Sequence, residues 1–294
     1  MVLYVVMPWL SLSLMAALAS ATADALLKRH FAYLSPYGMG ALRLAYTLPW
    51  LAAALFFIPW PAVDRTFFTA IACGLPLEIL ALLCYMKAIK VSPLSLTLPF
   101  LAFTPAFLVI SGYLILHETL TWQGMLGIAL IVAGSYCLNF SETKTGLLAP
   151  FASILREPGS RLMLVVAAIY SVTSAIGKLG VLHSSPAFFG IVYFCCLGTL
   201  MIIFMPLVGG LPVRSIGTKP LAGLAVGAVY AVMVFSHMAA ISMVQAAYMI
   251  AVKRTSLLMG VLYGAFLFRE ERIGERFFGA AVMLCGVFLI GLSG

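Results

Sequence analysis

Two adjacent cations, Lys253 and Arg254, lie in an apolar stretch that reads MIAVKRTSLLMGVLYGAFLF from Met249 to Phe268. An arginine guanidinium binds phosphate or carboxylate through two parallel hydrogen bonds, and a lysine ammonium adds a compact positive charge. Because neighbouring side chains of a helix point about 100° apart, both cations cannot easily extend to the same membrane surface. The pair therefore predicts a site for the anionic end of a substrate. An ion pair that only fixes packing is the structural alternative.

Polar residues of the predicted third and eighth helices form a second candidate set. Glu78 lies near the centre of CGLPLEILALLCYMKAI, and Tyr85 follows seven residues later on the same helical face. An offset of 152 residues pairs Glu78 with Tyr230 and Tyr85 with His237. The two helices are therefore expected to present polar faces at equivalent depths. Glu78 could exchange a proton, or it could pair with one of the two cations.

Three further residues complete the predicted binding site. Tyr248 lies about one turn before the cationic pair and could donate its hydroxyl to a substrate. Arg43 and Lys178 could contact the substrate or extend to the membrane surface. Asp24 and Lys28 lie near the end of the predicted first span and are open to the same interfacial interpretation.

Metal and nucleotide chemistry have little support in the sequence. The six cysteines lack CxxC spacing and lie in apolar stretches, and the four histidines form no HxxxH pair. Nine acidic residues without a His/Asp cluster disfavour a membrane-embedded enzyme. No phosphate-binding glycine loop is present, so direct ATP drive is not expected. We predict neither a metal nor a cofactor.

Composition places these residues in a membrane. The chain has 294 residues, of which 64% are hydrophobic and 9% charged, whereas soluble proteins average about 25% charged residues. The net charge of +8 comes from residues between the apolar runs, which favours a topology signal over nucleic-acid binding. No Lys or Arg precedes Lys28, so the N-terminal segment is expected to be the first span, not a cleaved signal peptide.

Apolar runs predict an all-α integral membrane protein with about ten transmembrane helices. The ninth span is predicted as one continuous helix from Gln245, because 24 residues are long enough to cross a bilayer. Pro99 and Pro105 should bend the fourth span, and the ninth has no proline. Glycine pairs at 223/227 and 260/264 predict close helix packing. The spans lie near residues 2–26, 37–58, 66–87, 93–115, 121–140, 162–181, 186–206, 220–241, 245–268 and 275–292.

An internal repeat divides the chain near its middle. ETLTWQGMLGIALIVAG from Glu118 aligns without a gap with EERIGERFFGAAVMLCG from Glu270, at an offset of 152 residues. An offset of 150 pairs the Ser35-Pro36 and Ser185-Pro186 dipeptides. Five spans per half is an odd number, so the halves must have opposite orientations in the membrane. We predict two inverted five-helix repeats, residues 1–145 and 146–294, with a site near the midplane as in secondary transporters.

These motifs carry a family resemblance. ILHETLTWQGMLGIALIVAG, FLFREERIGERFFGAAVMLCG and SPYGMGALRLAYTL resemble the ten-helix, EamA-type members of the drug/metabolite transporter superfamily. The resemblance covers essentially the whole chain and implies a carrier for small metabolites. AVKRTSLLMG is also similar to the ninth helix of the plastid sugar-phosphate/phosphate translocators. That similarity implies that Lys253 and Arg254 hold a substrate phosphate.

The sequence thus predicts a multi-pass protein of the cell (inner) membrane. We expect it to move a small anionic metabolite, bearing phosphate or carboxylate, by alternating access through a central cavity. A proton-coupled exporter of amino acids, amines or drugs is the alternative, and a lipid-carrier flippase is another. The expected partners are the substrate and membrane lipid, not nucleic acid, with a counter-substrate or a proton left open for coupling.

Two arguments about orientation disagree. Connectors after the odd-numbered spans carry twelve Lys and Arg residues, against Arg65 and Lys178 on the other side. The positive-inside rule then predicts that both termini lie outside the cytoplasm, whereas the family resemblance implies cytoplasmic termini. The twelve are Lys28, Arg29, Lys87, Lys90, Lys144, Arg156, Arg161, Arg214, Lys219, Arg269, Arg272 and Arg276.

Overall fold

The computed structural model describes residues 2–92, 98–140, 158–204, 217–268 and 273–293, and these ranges contain helices without β-strands. A 3-10 helix, Leu98–Phe103, precedes α4. The α-helices are α1 (Val2–Phe31), α2 (Pro36–Leu55), α3 (Arg65–Val91), α4 (Thr104–Leu116), α5 (Trp122–Phe140), α6 (Pro158–Leu182), α7 (Pro186–Phe204), α8 (Pro220–Met243), α9 (Ala246–Lys253), α10 (Ser256–Phe268) and α11 (Ile273–Gly291).

Helices occupy the described part of each of the ten predicted spans, which confirms an all-α multi-pass membrane protein. Five described segments are long and apolar enough to cross a membrane by length and composition alone: Pro8–Phe31, Arg65–Tyr85, Pro158–Leu182, Pro186–Phe204 and Pro220–Met243. Some predicted features lie outside the described residues, namely the 145/146 boundary, most of the 141–161 connector, the turn at 209–212, and residues Lys144, Arg156, Arg214, Arg269, Glu270 and Arg272.

The repeated Ser-Pro dipeptides start equivalent helices. The Ser35 hydroxyl accepts a hydrogen bond from Gly38 N at 3.1 Å, and the Ser185 hydroxyl accepts one from Phe188 N at 3.3 Å. Each proline occupies the first helical position. An N–H group there would have no partner within the helix, so the missing N–H of proline costs no hydrogen bond. The same local chemistry therefore begins α2 and α7.

The connectors fall into two groups, one at each end of the bundle. We call the end with the connectors after odd-numbered spans the odd face, and the opposite end the even face. On the odd face, the Tyr33 and Thr218 hydroxyls are hydrogen-bonded at 2.6 Å. On the even face, His183 Nδ1 lies 2.8 Å from the Asp64 carboxylate. Connectors of the same group contact one another, as expected if ten spans cross the membrane in alternating directions.

Asp64 also starts α3. Its carboxylate accepts a hydrogen bond from Phe67 N at 3.0 Å, as an N-cap residue does. This backbone hydrogen bond, with a smaller effect of His183, holds the pKa of Asp64 below its ordinary value. The charged carboxylate is therefore the form that the start of α3 favours.

Helices α5 and α11 pack backbone to backbone through the glycines that mark the repeat. A Cβ atom on Gly127 would lie 2.8 Å from Gly286 O, and one on Gly134 would lie 2.7 Å from Gly279 O. Real Cβ atoms do not approach a carbonyl so closely, so side chains at these positions would force the helices apart. The sequence repeat therefore corresponds to a contact between the two halves.

The structure tests three of the four predicted packing glycines, because the surroundings of Gly264 lie outside the described part of the chain. Gly223 and Gly227 lie against Tyr46 of α2, where added Cβ atoms would overlap its ring and its backbone. Close packing at these two residues is confirmed. The prediction for Gly260 is wrong, because an added Cβ atom there would meet no atom within 4 Å.

The ninth span is not the continuous helix that the sequence predicts. Helix α9 ends at Lys253 and α10 begins at Ser256. At the interruption the hydrogen bonds tighten, since Thr255 N donates to Val252 O at 3.0 Å, a 3-10-type bond. The Thr255 hydroxyl donates to the same carbonyl at 2.8 Å. A threonine that bonds back to its own helix often bends it, and this hydrogen bond lies at the interruption, where the sequence has neither proline nor glycine.

The fourth span is interrupted at the equivalent place. Its 3-10 helix ends at Phe103, and α4 begins at Thr104 with Pro105 in its first turn. The Thr104 hydroxyl donates to Leu101 O at 2.7 Å. An offset of 152 residues carries the start of α4 onto the start of α10 at Ser256. The expectation that proline makes only the fourth span irregular is therefore wrong.

Candidate functional site

A cavity of about 600 Å³ lies among α1–α4 and α6–α10, and the described side chains of α5 and α11 do not line it. The most extensive contacts of the surrounding helices are those of α3 with α6 and of α1 with α8. Seven of the nine predicted site residues line the cavity, namely Arg43, Glu78, Tyr85, Tyr230, His237, Lys253 and Arg254.

Lys253 and Arg254 enter the cavity from the interruption in the ninth span. Lys253 Nζ lies 2.9 Å from His237 Nδ1 of α8. Arg254 Nη2 donates to the Thr104 hydroxyl at 2.7 Å, which links the interruptions of the fourth and ninth spans. Both partners are neutral hydrogen-bonding groups, so these contacts do not cancel the two positive charges.

The guanidinium of Arg254 is incompletely bonded. Its Nε atom is buried and has no hydrogen-bond partner among the described residues. A buried donor without an acceptor costs more than an exposed one, and the cost is larger for a charged group. Arg254 therefore has a hydrogen-bond donor available for an acceptor that the described protein residues do not supply.

Glu78 does not form the ion pair proposed as the structural alternative. It lines the cavity, interacts with the Thr173 hydroxyl, and is near enough to Lys253 for their charges to interact. However, the ion pairs found among the described residues do not join Glu78 to Lys253 or Arg254. The alternative of a packing ion pair is therefore wrong for this conformation.

Arg43 is paired inside the cavity and does not extend to the membrane surface. Its Nη1 donates to the Asp24 carboxylate at 2.8 Å, and its guanidinium carbon lies 4.4 Å from the centroid of the Tyr230 ring. Asp24 keeps 60% of its side-chain surface accessible, because that surface faces the cavity. The sequence missed Asp24 as a site residue, since the first span was predicted to end at residue 26, whereas α1 continues to Phe31.

The Asp24–Arg43 pair and the Lys253–Arg254 pair lie at different depths in the membrane. Arg43 is seven residues into α2 from the odd face, or about 10 Å at 1.5 Å per residue. Lys253 is seven residues into α9 from the even face, a similar distance of about 10 Å. The cavity therefore has a neutral Asp24–Arg43 pair towards the odd face and a cationic region towards the even face.

Lys178 and Tyr248 lie outside the cavity, unlike the prediction. Lys178 is buried and hydrogen-bonds the Glu118 carboxylate, and it also donates to Val244 O at 2.6 Å. The other carboxylate oxygen of Glu118 accepts from Ala246 N at 2.8 Å, at the start of α9. A cation at the end of α8 and an anion at the start of α9 both match the helix dipoles.

Tyr248 is fully buried on the even face. Its hydroxyl accepts from Thr121 N at 2.9 Å and lies 3.2 Å from the Thr121 hydroxyl. Gly124 leaves room for this ring, since an added Cβ atom would overlap the tyrosine hydroxyl. Tyr248 therefore joins the connector after α4 to α9, and it is not positioned to contact a solute in the cavity.

Besides Asp24, the polar cavity residues that the sequence analysis missed include Thr104, Tyr170, Thr173 and Tyr193. Hydroxyl-bearing residues are common in membrane helices, so their type alone gave no signal. The Tyr170 and Tyr193 rings belong to α6 and α7, the first two helices of the second half. Their position became apparent only from the packing of α6 against α3 and of α7 against α2.

The cavity has a formal charge of +1. Lys253, Arg254 and Arg43 supply three positive charges, and Asp24 and Glu78 supply two negative ones. No group of three or more His, Cys, Asp or Glu residues in the described ranges could hold a metal ion. The chemistry available in the cavity is hydrogen bonding, ion pairing and stacking on tyrosine rings.

A polytopic helical bundle around a buried, charged cavity is an architecture typical of membrane transport proteins. Residues 7–140, which end with α5, match the model of the EamA-like transporter family. That match spans 134 of the 294 residues, so this part of the chain resembles transporters of the drug/metabolite superfamily, and the apolar helices are those of a multi-pass membrane protein. The predicted family resemblance is confirmed.

Comparison with solved structures supports the fold over the whole chain. One structure, described only as the crystal structure of a protein, has a TM-score of 0.77 and 15% sequence identity. The match covers 97% of this chain and 96% of that one. At this identity the likeness shows a shared fold. No curated protein matches the chain by sequence.

Proposed function

We propose that the chain is a secondary carrier that moves a small anionic metabolite, bearing phosphate or carboxylate, through the central cavity by alternating access. The observation that carries the proposal is the pair of cations without carboxylate partners. Lys253 contacts His237, Arg254 contacts Thr104, and Arg254 Nε has no acceptor among the described residues. The anionic end of a substrate would supply both the charge and the acceptors.

The energetic argument follows from the membrane environment. A cation at the centre of a bilayer costs about 2.5–3.5 kcal/mol on insertion scales. Two adjacent ones need a compensating anion or water, and Glu78 can neutralise one at most. Phosphate or carboxylate fits the remaining charge, and an arginine fork binds either one bidentately. The similarity of AVKRTSLLMG to the sugar-phosphate translocators favours phosphate.

Alternating access would rest on two inverted repeats, residues 1–145 and 146–294. Two pairs of contacts support this arrangement. The offset of 152 residues pairs Gly127 with Gly279 and Gly134 with Gly286. The observed contact of Gly127 with Gly286 is therefore the repeat equivalent of the contact of Gly279 with Gly134. It likewise relates the interruption before Thr104 to the one before Ser256. Inverted repeats with broken helices at the site are the plan of many secondary transporters.

Uptake into proteoliposomes tests the proposal. Purified protein would be assayed with a panel of radiolabelled phosphorylated and carboxylated metabolites, inorganic phosphate included. A Lys253→Ala/Arg254→Ala double variant should lose uptake while still folding. Lys219→Ala is the matched control, because Lys219 donates to His30 O on the odd face, away from the cavity. Normal rates in the double variant, or a cationic native substrate, would contradict the proposal.

A proton-coupled exporter of amines or drugs is the second candidate, favoured by a specific observation. Glu78 lines the cavity without an ion pair among the described residues, so it could exchange a proton against a cationic solute. Glu78→Gln should then abolish flux driven by a pH gradient and leave substrate exchange largely intact. Normal gradient-driven transport with unchanged thermal stability would remove Glu78 from the site.

A further inference from the structure

The contact between Lys253 and His237 limits the charge that the two residues can carry together. Their nitrogen atoms lie 2.9 Å apart, within hydrogen-bond distance. An ammonium group and an imidazolium ring are both pure donors, so this hydrogen bond needs a lone pair on one of them. With Lys253 charged, His237 Nδ1 must accept, and the ring is neutral with its proton on Nε2. The bonded pair therefore holds at most one positive charge.

Cations predominate among the groups nearest to the His237 ring. Lys253 and Arg254, at the interruption between α9 and α10, are the charged groups that act on it most directly. Arg43 of α2 lines the same cavity, but Asp24 of α1 already pairs with it. A proton added to His237 while Lys253 is charged would therefore be repelled by the positive charges of Lys253 and Arg254.

The remaining titratable groups around the cavity do not reverse this balance. Helix α3 contributes Glu78 and Tyr85, α6 contributes Tyr170, α7 contributes Tyr193, and α8 itself contributes Tyr230. The tyrosines are neutral hydrogen-bonding groups at physiological pH. Glu78 interacts with the charge of Lys253 but forms no ion pair with it or with His237 among the described residues. The negative charge needed for a second proton is thus not fully supplied by the protein.

We propose that His237 binds a proton at Nδ1 each time an anion binds at Lys253 and Arg254, so that the carrier moves one proton with each anion. This inference rests on the proposed function. When the anion arrives, the Lys253 ammonium turns its donor to the ligand and leaves His237 Nδ1 without a hydrogen bond. A proton from the water on the entry side then occupies Nδ1, and the anion offsets its charge. Both leave together on the opposite side.

Linkage makes the proposal quantitative. If the anion favours proton binding at His237, the proton favours anion binding by the same factor. Over the range in which one proton is taken up, the anion affinity should rise about tenfold for each unit by which the pH falls. A pH gradient would then drive accumulation of the anion on the less acidic side.

Calorimetry of purified protein in detergent tests the proton count, with inorganic phosphate as the probe. Titrations at one pH in two buffers of different ionisation enthalpy give the number of protons taken up per bound phosphate. His237→Asn is the matched variant, since its amide can still accept from Lys253 but cannot be protonated. Wild type should take up about one more proton than the variant, and the protonation of phosphate itself cancels between them.

The possible results separate the two proposals. Phosphate binding with equal proton uptake in both proteins would overturn the role of His237 and leave the anion site standing. If neither inorganic phosphate nor succinate bound to wild type, the anion site and the proton inference would both fail.

A second measurement is needed in case His237→Asn does not fold. A His30→Gln/His117→Gln/His183→Gln variant leaves His237 as the single histidine, and the three replaced residues do not line the cavity. Its imidazole ¹⁵N NMR signals in nanodiscs should show the neutral Nε2–H tautomer without phosphate and an imidazolium with phosphate bound. A neutral ring in both states would overturn the inference.

Discussion

Arg254 is held by Thr104 alone among the described hydrogen-bond partners, although a guanidinium offers five donors. Arg254→Lys would keep the charge and lose the planar fork. Hydrogen bonds to charged groups contribute about 1.5–3 kcal/mol each, so we predict that the affinity for the anionic substrate falls about 10- to 100-fold. Calorimetry with inorganic phosphate, or the KM for uptake, would measure the loss.

Thr104→Val is the matched control for this prediction. It removes the hydroxyl that Arg254 contacts and changes no charge, so the guanidinium keeps its fork for the ligand. We expect the affinity of Thr104→Val to change by less than about tenfold, because the removed hydrogen bond orients Arg254 and is not made to the ligand. An Arg254→Lys protein that bound as tightly as wild type would show that the fork does not contact the substrate.

Lys178 and Glu118 form the buried ion pair that the sequence analysis did not foresee. Their side chains are 9% and 13% exposed, and Glu118 also bonds the start of α9. Removing one member of such a pair leaves a buried charge and typically costs about 3–5 kcal/mol. We predict that Lys178→Met and Glu118→Gln each lower the thermal unfolding temperature in detergent markedly. The double variant should lose less than the sum, whereas additive losses would argue against coupling between the two residues.

At the scale of helices, the contact of α5 with α11 allows no side chain at its centre. An added Cβ atom on Gly134 would lie 2.7 Å from both Gly279 O and Met283 N. Overpacking typically costs about 1–3 kcal/mol, and a backbone neighbour cannot rotate away as a side chain can. We predict that Gly134→Ala lowers the unfolding temperature clearly. Gly260→Ala is the control, because its Cβ atom would meet no atom within 4 Å, and equal effects of both changes would contradict the prediction.

The extent of the helices was largely predictable from the sequence, and the interruption of the ninth span was not. Apolar length sets the spans, and Ser-Pro dipeptides set the starts of α2 and α7, so periodicity and capping chemistry sufficed there. At Arg254–Thr255 the sequence has no proline or glycine, and the local feature found there is a threonine hydroxyl that bonds its own backbone. Threonine has that option in every membrane helix, so only the structure reveals where it is used.

The candidate site was predictable where charge in an apolar segment was itself the signal. Lys253, Arg254 and Glu78 stand out because ionisable residues are costly in a membrane. Asp24 and Lys178 lie near predicted span ends, where an interfacial position costs little. The sequence therefore could not show which of these two residues lines the cavity. Packing assigns Asp24 to the cavity and Lys178 to a structural ion pair.

At the scale of the whole molecule, orientation follows from the charges at the two ends of the bundle. Connectors of the odd face carry twelve Lys and Arg residues in the sequence. On the even face, Lys178 is buried against Glu118 and does not contribute to the surface, which leaves Arg65. The positive-inside rule thus predicts a cytoplasmic odd face and both termini outside the cytoplasm.

Fusions to the last residue, Gly294, test the orientation. Alkaline phosphatase is active only outside the cytoplasm, and green fluorescent protein fluoresces when it folds inside. We expect an active phosphatase and a dark fluorescent protein at this position. A fluorescent fusion with inactive phosphatase would reverse the prediction and agree with the orientation that the family resemblance implies.

The contact between α5 and α11 also has a consequence for biosynthesis. Helix α5 ends at Phe140, whereas the glycines that cover its packing face belong to α11, which ends at Gly291. At translation rates of about 5–20 residues per second, α5 precedes its partner from the ribosome by roughly 8–30 s. During that interval the face around Gly127 and Gly134 must be covered by lipid or by the insertion machinery. The contact between the two halves can therefore form only after the last helix, α11, has been inserted.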